Sequence, residues 1–154
     1  MAFTLGLISD THGLLRAEAL AALQGVDHLC HLGDIGKPEI LEQLRAIAPL
    51  DVVRGNNDRA DWADSIPVTK LVQFEGIKLY LIHDLKELKL YPPPEPVQVV
   101  LSGHSHKPLI RQDHEVLYLN PGSAGPRRFK LPISVGFLEI RAGTLVPRLQ
   151  ELAL

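Results

Sequence analysis

A single cysteine, Cys30, occurs in 154 residues, so no disulfide can close within the chain. Its place in an apolar stretch reads as a small buried hydrophobe, and the chain suits a reducing cytoplasm. An excess of charge is missing too. Sixteen basic residues stand against 18 acidic ones, a formal net charge of −2, and no window carries the run of lysine and arginine that follows a nucleic-acid backbone. Electrostatic binding of DNA or RNA is therefore unsupported. No apolar run reaches membrane-spanning length, and Met1 to Ser9 has neither the basic start nor the apolar stretch of a secretion signal, so insertion and secretion are not expected. Internal repeats and low-complexity segments are absent. A chain of this length buries a sheet-based core without disulfides or structural metals, and one domain, 1–154, is expected.

What is present begins with alternation of strand and helix. Phe3 to Ile8 reads as a strand, Leu14 to Gln24 as a helix stopped by Gly25, and Asp27 to Leu32 as a second strand. In Lys37 to Ala48, Ile40, Leu41, Leu44 and Ile47 recur at helical spacing, with Pro38 suited to the first turn and Pro49 closing the run. Leu50 to Arg54 is a third strand, so the first third has the order of a parallel sheet covered by helices. From Val68 the rhythm changes. Val68 to Phe74 and Ile77 to Ile82 are separated only by Glu75-Gly76, the spacing of a tight hairpin. Asp84 to Leu90 allows one or two helical turns before Pro92, Pro93, Pro94 and Pro96, which make 91–96 a loop. Val97 to Leu101, Leu109 to Arg111, Glu115 to Leu119, Val135 to Ile140 and Thr144 to Leu149 are further strands, the last two joined by Ala142-Gly143. The expectation is an α/β protein of two packed mixed sheets, a sandwich with helices outside.

Polar donors stand at the ends of these apolar runs. Asp10-Thr11-His12 follows the first strand and His104-Ser105-His106 follows Val97 to Leu101. Asp34, Asn56 and His83 close three runs between them. Residues two apart at a strand end are expected to point the same way, so each of the two elements would deliver two ligands together. Seven donors would then converge on one edge. Carboxylate, imidazole and carboxamide without thiolate suit divalent ions, Mn²⁺ first and Fe²⁺, Ni²⁺ or Zn²⁺ also, over Cu⁺ or an iron–sulfur cluster. For two ions one residue must be shared. Asp34, with two oxygens and Gly33 giving room, is the natural bridge across the roughly 3.5–4 Å of a two-metal hydrolytic site. Asp10, His12 and one distal histidine complete one ion, and Asn56, His83 and the other distal histidine complete the second. Two divalent ions outweigh two aspartates and a bridging hydroxide, and the positive surplus fits phosphoester hydrolysis with that hydroxide as nucleophile. Neutral Asn56 preserves the surplus.

These residues, as Asp10-x-His12, Gly33-Asp34, Gly55-Asn56-Asn57-Asp58, His83 and Gly103-His104-Ser105-His106, resemble in order and spacing the motif series of calcineurin-like metallophosphoesterases. Ser9 to Gly13 and Asn120 to Ser123 add likeness to the small bacterial and archaeal phosphodiesterases of that superfamily. The resemblance implies a two-sheet α/β sandwich and a dinuclear centre, with Asp10, His12, Asp34 and His106 on the first metal and Asp34, Asn56, His83 and His104 on the second. It implies a small phosphoester substrate, and homo-oligomers are common among such proteins. Two departures stand out. Larger phosphatases of the superfamily carry a proton-donating histidine after the ligand asparagine, where this chain has Asn57. Asn57 can hydrogen-bond a phosphate oxygen but not act as an imidazolium, which favours substrates with good leaving groups. Asp84 stands where the family usually has glycine, so access to the site is expected to differ.

Several residues have two readings. Asp58 either orients a ligand or is a loop charge, and His31 is a partner behind the ligands or a core histidine. His28 and His114 read as facing solvent. Asn120 to Ser123 reads as a turn rather than site wall. Arg127 and Arg128 either meet a phosphate or are solvated surface, and Trp62 and Phe129 either flank the pocket or cap the core. Two rival functions are a binding or scaffold protein on the same fold, as in the retromer subunit that resembles this family, and a dinuclear hydrolase of a carboxylic ester or amide.

Overall fold

The structure is a computed structural model that describes residues 2–154. It contains two five-stranded sheets packed face to face. In the first, β1 (Phe3–Ile8), β2 (His28–His31) and β3 (Leu50–Val52) run parallel. β9 (Ser134–Arg141) pairs antiparallel with β1, and β10 (Thr144–Glu151) with β9, giving the order β10-β9-β1-β2-β3. The second has the order β4-β5-β6-β8-β7, built from β4 (Thr69–Phe74), β5 (Ile77–Ile82), β6 (Val99–Leu101), β7 (Leu109–Asp113) and β8 (Val116–Asn120). Here β5, β6 and β8 are the parallel set. The expected mixed sandwich is what the chain forms. Two of the three hairpins turn on pairs of positive φ, Glu75-Gly76 (51° and 79°) and Ala142-Gly143 (48° and 83°), the signature of tight primed turns.

Alternation along β1 shows why this strand is central. Leu5 and Leu7 face the second sheet and meet Leu79, Leu81, Val99, Leu101, Leu117 and Leu119 in the inter-sheet core, with Cys30, Leu32 and Val53 beside them. Ile8 faces the other way, into a second core under α1 (Ala17–Ala22) and α2 (Pro38–Arg45), formed by Ala19, Leu23, Ile40, Leu41 and Leu44. A strand buried on both faces needs the mainly apolar sequence seen from Phe3 to Ile8. Each fully buried leucine there contributes about 1.5–3 kcal/mol relative to exposure.

The structure corrects two expectations, the length of the first helix and the setting of His28. The first helix covers only six residues of the expected eleven. Arg16 is extended, and its guanidinium reaches the carbonyl of Gly125 at 3.1 Å, which holds the preceding segment out of the helix. Helices cover one sheet only. The outer face of the second sheet, Tyr80, Ile82 and Val100, lies under Leu85 and Leu88 of a 3₁₀ turn, Leu85–Lys89, and under the proline-rich loop, whose Tyr91 carbonyl accepts from the Tyr80 hydroxyl at 2.7 Å. His28 does not face solvent. Its Nε2 lies 2.7 Å from Asp51 Oδ2 on β3, and its ring packs on Phe74. No helix among the described residues is long and apolar enough to cross a membrane.

Candidate metal centre

All six parallel strands end on the same edge, and the loops leaving them carry the donors. Open sheets of this kind present ligand sites outside their carboxyl ends. The structure brings all seven residues together, but not by the strand pleat. Asp10, His12, Asp34, His104 and His106 have φ of 55°, 46°, 58°, 68° and 63°, so each lies in the left-handed region beyond a strand end. That local reversal aims the side chains inward and is sparsely populated by residues with a side chain. The loops are held in register by backbone bonds, Asp10 N–H to Gly33 O and His12 N–H to Asp34 O, at 3.0 and 2.9 Å. Gly33 is required twice over. Its φ is +104°, and a Cβ there would lie 2.6 Å from His83 Nδ1.

The donors form two groups, Asp10–His12–His106 and Asp34–His83–His104, each of which could hold a metal ion. In the first, His106 Nε2 is 3.4 Å from Asp10 Oδ1, His12 Nε2 is 3.7 Å from the same oxygen, and the two imidazole nitrogens are 3.4 Å apart. In the second, His83 Nε2 is 3.3 Å from Asp34 Oδ2, and Asn56 Oδ1 is 3.2 Å from His104 Nδ1, which adds the carboxamide. Asp34 Oδ2 also lies 3.7 Å from His12 Nε2, so one oxygen faces both groups. Ligands bound about 2.0–2.2 Å from one ion stand roughly 3–3.5 Å apart, close to this spacing.

A cation fits these residues on a second count. Asp10 Oδ1 and His83 Nε2 are buried, lack any hydrogen-bond partner and lie 3.9 Å apart. An unsatisfied buried polar atom costs about 1–3 kcal/mol, and an ion between the groups would satisfy both. The remaining atoms of these side chains are committed elsewhere. Asp10 Oδ2 accepts from the Ser9 hydroxyl (2.7 Å) and from His104 N–H (3.0 Å), while His83 Nδ1 is 2.6 Å from the Leu32 carbonyl. Asn57 donates its backbone N–H to Asp34 Oδ1 and its side-chain amide to Asp34 Oδ2, at 2.9 and 3.2 Å. One of the two Asn57 amide N–H groups is therefore committed to Asp34, and the expected phosphate contact falls to the other.

Charge follows from the same contacts. Burial opposes ionisation of Asp10, yet His106, His12, His83 and Ser9 together hold its carboxyl far below the usual range. Asp34 is lowered in the same way: burial raises it, and His83 with the Asn57 N–H outweighs that. His83 is raised because Asp34 and Asp10 overcome its burial. Wholly buried His31 goes the other way, pushed down to about 3 chiefly by burial. Its Nδ1 accepts from Gly33 N–H and its Nε2 faces the Thr11 hydroxyl, which donates to the Ile35 carbonyl. Neutral His31 thus ties the Asp10 and Asp34 loops together from behind. Burial also pushes the Cys30 thiol up.

Three supports were illegible or misread in the sequence. Asp58 is buried and accepts from the backbone N–H groups of Asp34, Ile35, Gly36 and Gly55, binding the two central loops to each other. Asn120 to Ser123 is site wall as well as turn. Asn120 donates to the Gly103 carbonyl and to Ser105, and Ser123 donates to the Asp10 carbonyl. Arg127 bonds the Leu131 carbonyl of its own loop, whereas its neighbour Arg128 lines a cavity beside His104. Asp84 caps the 3₁₀ turn and sets one oxygen 3.6 Å from His104 Nε2. Trp62 packs on the core, Phe129 stands exposed at the cavity, and His114 faces solvent.

Comparison with known proteins gives consistent matches. The profile described as calcineurin-like phosphoesterase superfamily domain matches residues 3–143. A probable metallophosphoesterase of Methanothermobacter thermautotrophicus is 34% identical over 131 residues, 77% of this chain and 76% of its own. The phosphodiesterase YfcE of Escherichia coli is 30% identical over 155 residues, covering 85% and 84%. Among solved structures, one described as a novel archaeal phosphodiesterase superposes with a TM-score of 0.80 at 21% identity, over 97% of this chain and all of that one. Vps29 of Entamoeba histolytica, solved with zinc, gives 0.74 at 22% identity over 97% and 99%. At such identities the last two speak for the fold alone.

Proposed function

This chain belongs to the calcineurin-like phosphoesterase superfamily, and within it we propose a phosphodiesterase that works with two divalent cations, Mn²⁺ foremost. The observation that carries the reading is Asp34 Oδ2 facing both donor groups while Asp10 Oδ1 and His83 Nε2 stand buried without a partner. Two cations held there would bring the pKa of a water near neutrality, so that hydroxide serves as nucleophile, and would neutralise charge developing on phosphoryl oxygens.

The protein's own part is preorganisation. Ser9 and the His104 N–H turn Asp10 so that Oδ1 is the free oxygen. The Leu32 carbonyl accepts a hydrogen bond from His83 Nδ1–H, leaving Nε2 as the ligand atom. Asn57 fixes Asp34, and the buried carboxylate of Asp58 locks the loops that carry Asp34 and Asn56. Neutral Asn56 adds a donor without cancelling positive charge. Since Asn57 cannot act as an imidazolium, phosphodiesters with good leaving groups are the substrates of choice.

Hydrolysis of bis(p-nitrophenyl) phosphate by chelator-stripped protein, restored by Mn²⁺, is the direct test. Folded protein inert with every divalent metal would refute the proposal. Preference for p-nitrophenyl phosphate would shift it to a monoesterase, and turnover of carboxylic esters alone would move it to another bond. A scaffold role finds less support, because all seven donors are retained around one centre.

A further inference from the structure

Two cavities flank the second donor group, and their walls differ in charge. One, about 420 Å³, is lined by Asn56 and His83 and sets Arg54 and Arg59 against Asp58, Asp64 and Glu87, one carboxylate in excess. The other, about 560 Å³, opens beside His104 and carries Lys86, Lys107 and Arg128, with Leu109, Phe129 and Leu131 as its apolar wall. Its only carboxylate, Asp84, is turned toward His104 Nε2. The non-histidine ion pairs among the described residues engage Lys70, Lys78 and Arg141, leaving the three cations of this wall uncompensated. Phe129 is 88% exposed, its ring presented to solvent at the rim instead of the core. Volumes of this size hold a ring-sized group with its substituents.

We propose that the cavity beside His104 receives one ester arm of the substrate, and that this arm is an apolar ring bearing its own negative charge. The inference rests on the phosphodiesterase reading and adds the class of diester: one anionic at an arm as well as at the phosphorus. The cations would meet the arm's charge, and Phe129 with Leu109 and Leu131 would meet its flat face. The cavity on the other side has no surplus of cations and does not favour a second negative charge, so the two arms are told apart.

The test uses three 4-nitrophenyl aryl phosphates whose second ring carries a 4-carboxylate, a 4-methyl or a 4-trimethylammonium group, each with the Mn²⁺-loaded protein. The expected order of kcat/KM is carboxylate, methyl, ammonium. The carboxylate ester should have a KM about tenfold below that of the methyl ester, the size expected of two or three exposed ion pairs acting together. Raising salt should compress the order. Lys86→Glu and Arg128→Glu should each shift the carboxylate-to-ammonium ratio by about tenfold toward the ammonium ester. Arg141→Glu, at the opposite edge of the first sheet, should leave the order unchanged. An equal or inverted order with good turnover of the methyl ester overturns this inference and leaves the phosphodiesterase reading intact. No turnover of any ester with any cation sinks both.

Discussion

The two donor groups are built to different standards. Asp10 and His106 are sealed, with side chains 0% and 3% exposed, and the loops that carry them are bonded to neighbouring loops and to Ser123. Across the shared Asp34 the second group contains His104, 41% exposed, and Asn56 on an open loop, each lining a cavity. A sealed, preset group holds an ion tightly and exchanges it slowly. An open group binds more weakly and can yield a ligand position to substrate. On the proposed reading this is a division of labour: one half of the centre would anchor an ion, and the other would meet what arrives.

The largest expected effect comes from erasing the division altogether. Asp34→Asn removes the charge common to both groups and should lower phosphodiester turnover by about 10³-fold or more, beyond the cost of losing a single stabilising donor; steady-state kinetics at saturating Mn²⁺ would check it. Next, Asp10→Asn and Asn56→Ala should part the two groups. Elemental analysis after dialysis should show Asp10→Asn losing the tightly held ion, while Asn56→Ala keeps it and weakens only the second, by about 10–100-fold in affinity. Equal losses in both variants would erase the proposed asymmetry. Asn56→Asp should hold metal yet lose rate, because added negative charge cancels the surplus.

Smaller effects probe the scaffold behind the groups. Asp58→Ala strands four backbone N–H groups, and with a net value of about 1.5–3 kcal/mol for bonds to a charged acceptor, unfolding in urea should show a loss at or above that range. A further effect is in pH. His31 is depressed from 6.5 to about 3 in the fold, so the unfolded chain binds the proton first. Its contribution is full above pH 6.5 and is lost as pH falls toward about 3, by about 1.4 kcal/mol per unit. His31→Gln should flatten that part of the stability profile.

Much of this was legible from the chain because apolar runs and punctuating residues are local. Phe3 to Ile8 is a strand with its expected bounds, the two expected hairpin turns fall on their Gly-containing pairs, and the donor positions stand out at the ends of runs. Long-range causes were less visible. Leu14 to Arg16 has helical composition, and what draws it out is a carbonyl at Gly125, over a hundred residues away. The donors were found, but on the wrong geometry: period-two pointing was assumed where left-handed backbone does the aiming. Asp58 read equally as orienting a ligand or as a loop charge, because its partners at 34–36 lie in another loop. Only the Asp-after-Gly55 spacing hinted at an acceptor there. Asn120 to Ser123 has turn composition, which says nothing of Gly103 or Asp10 across the fold.

The left-handed backbone at five donors carries an evolutionary consequence. On the proposed reading, metal binding is the reason for aspartate and histidine where glycine would sit with less backbone strain. A lineage released from that demand should drift to glycine at positions 12, 104 and 106, becoming sturdier as it became inert, whereas the carboxylates at 10 and 34 also accept backbone N–H groups. Durability and chemistry pull in opposite directions along this one edge.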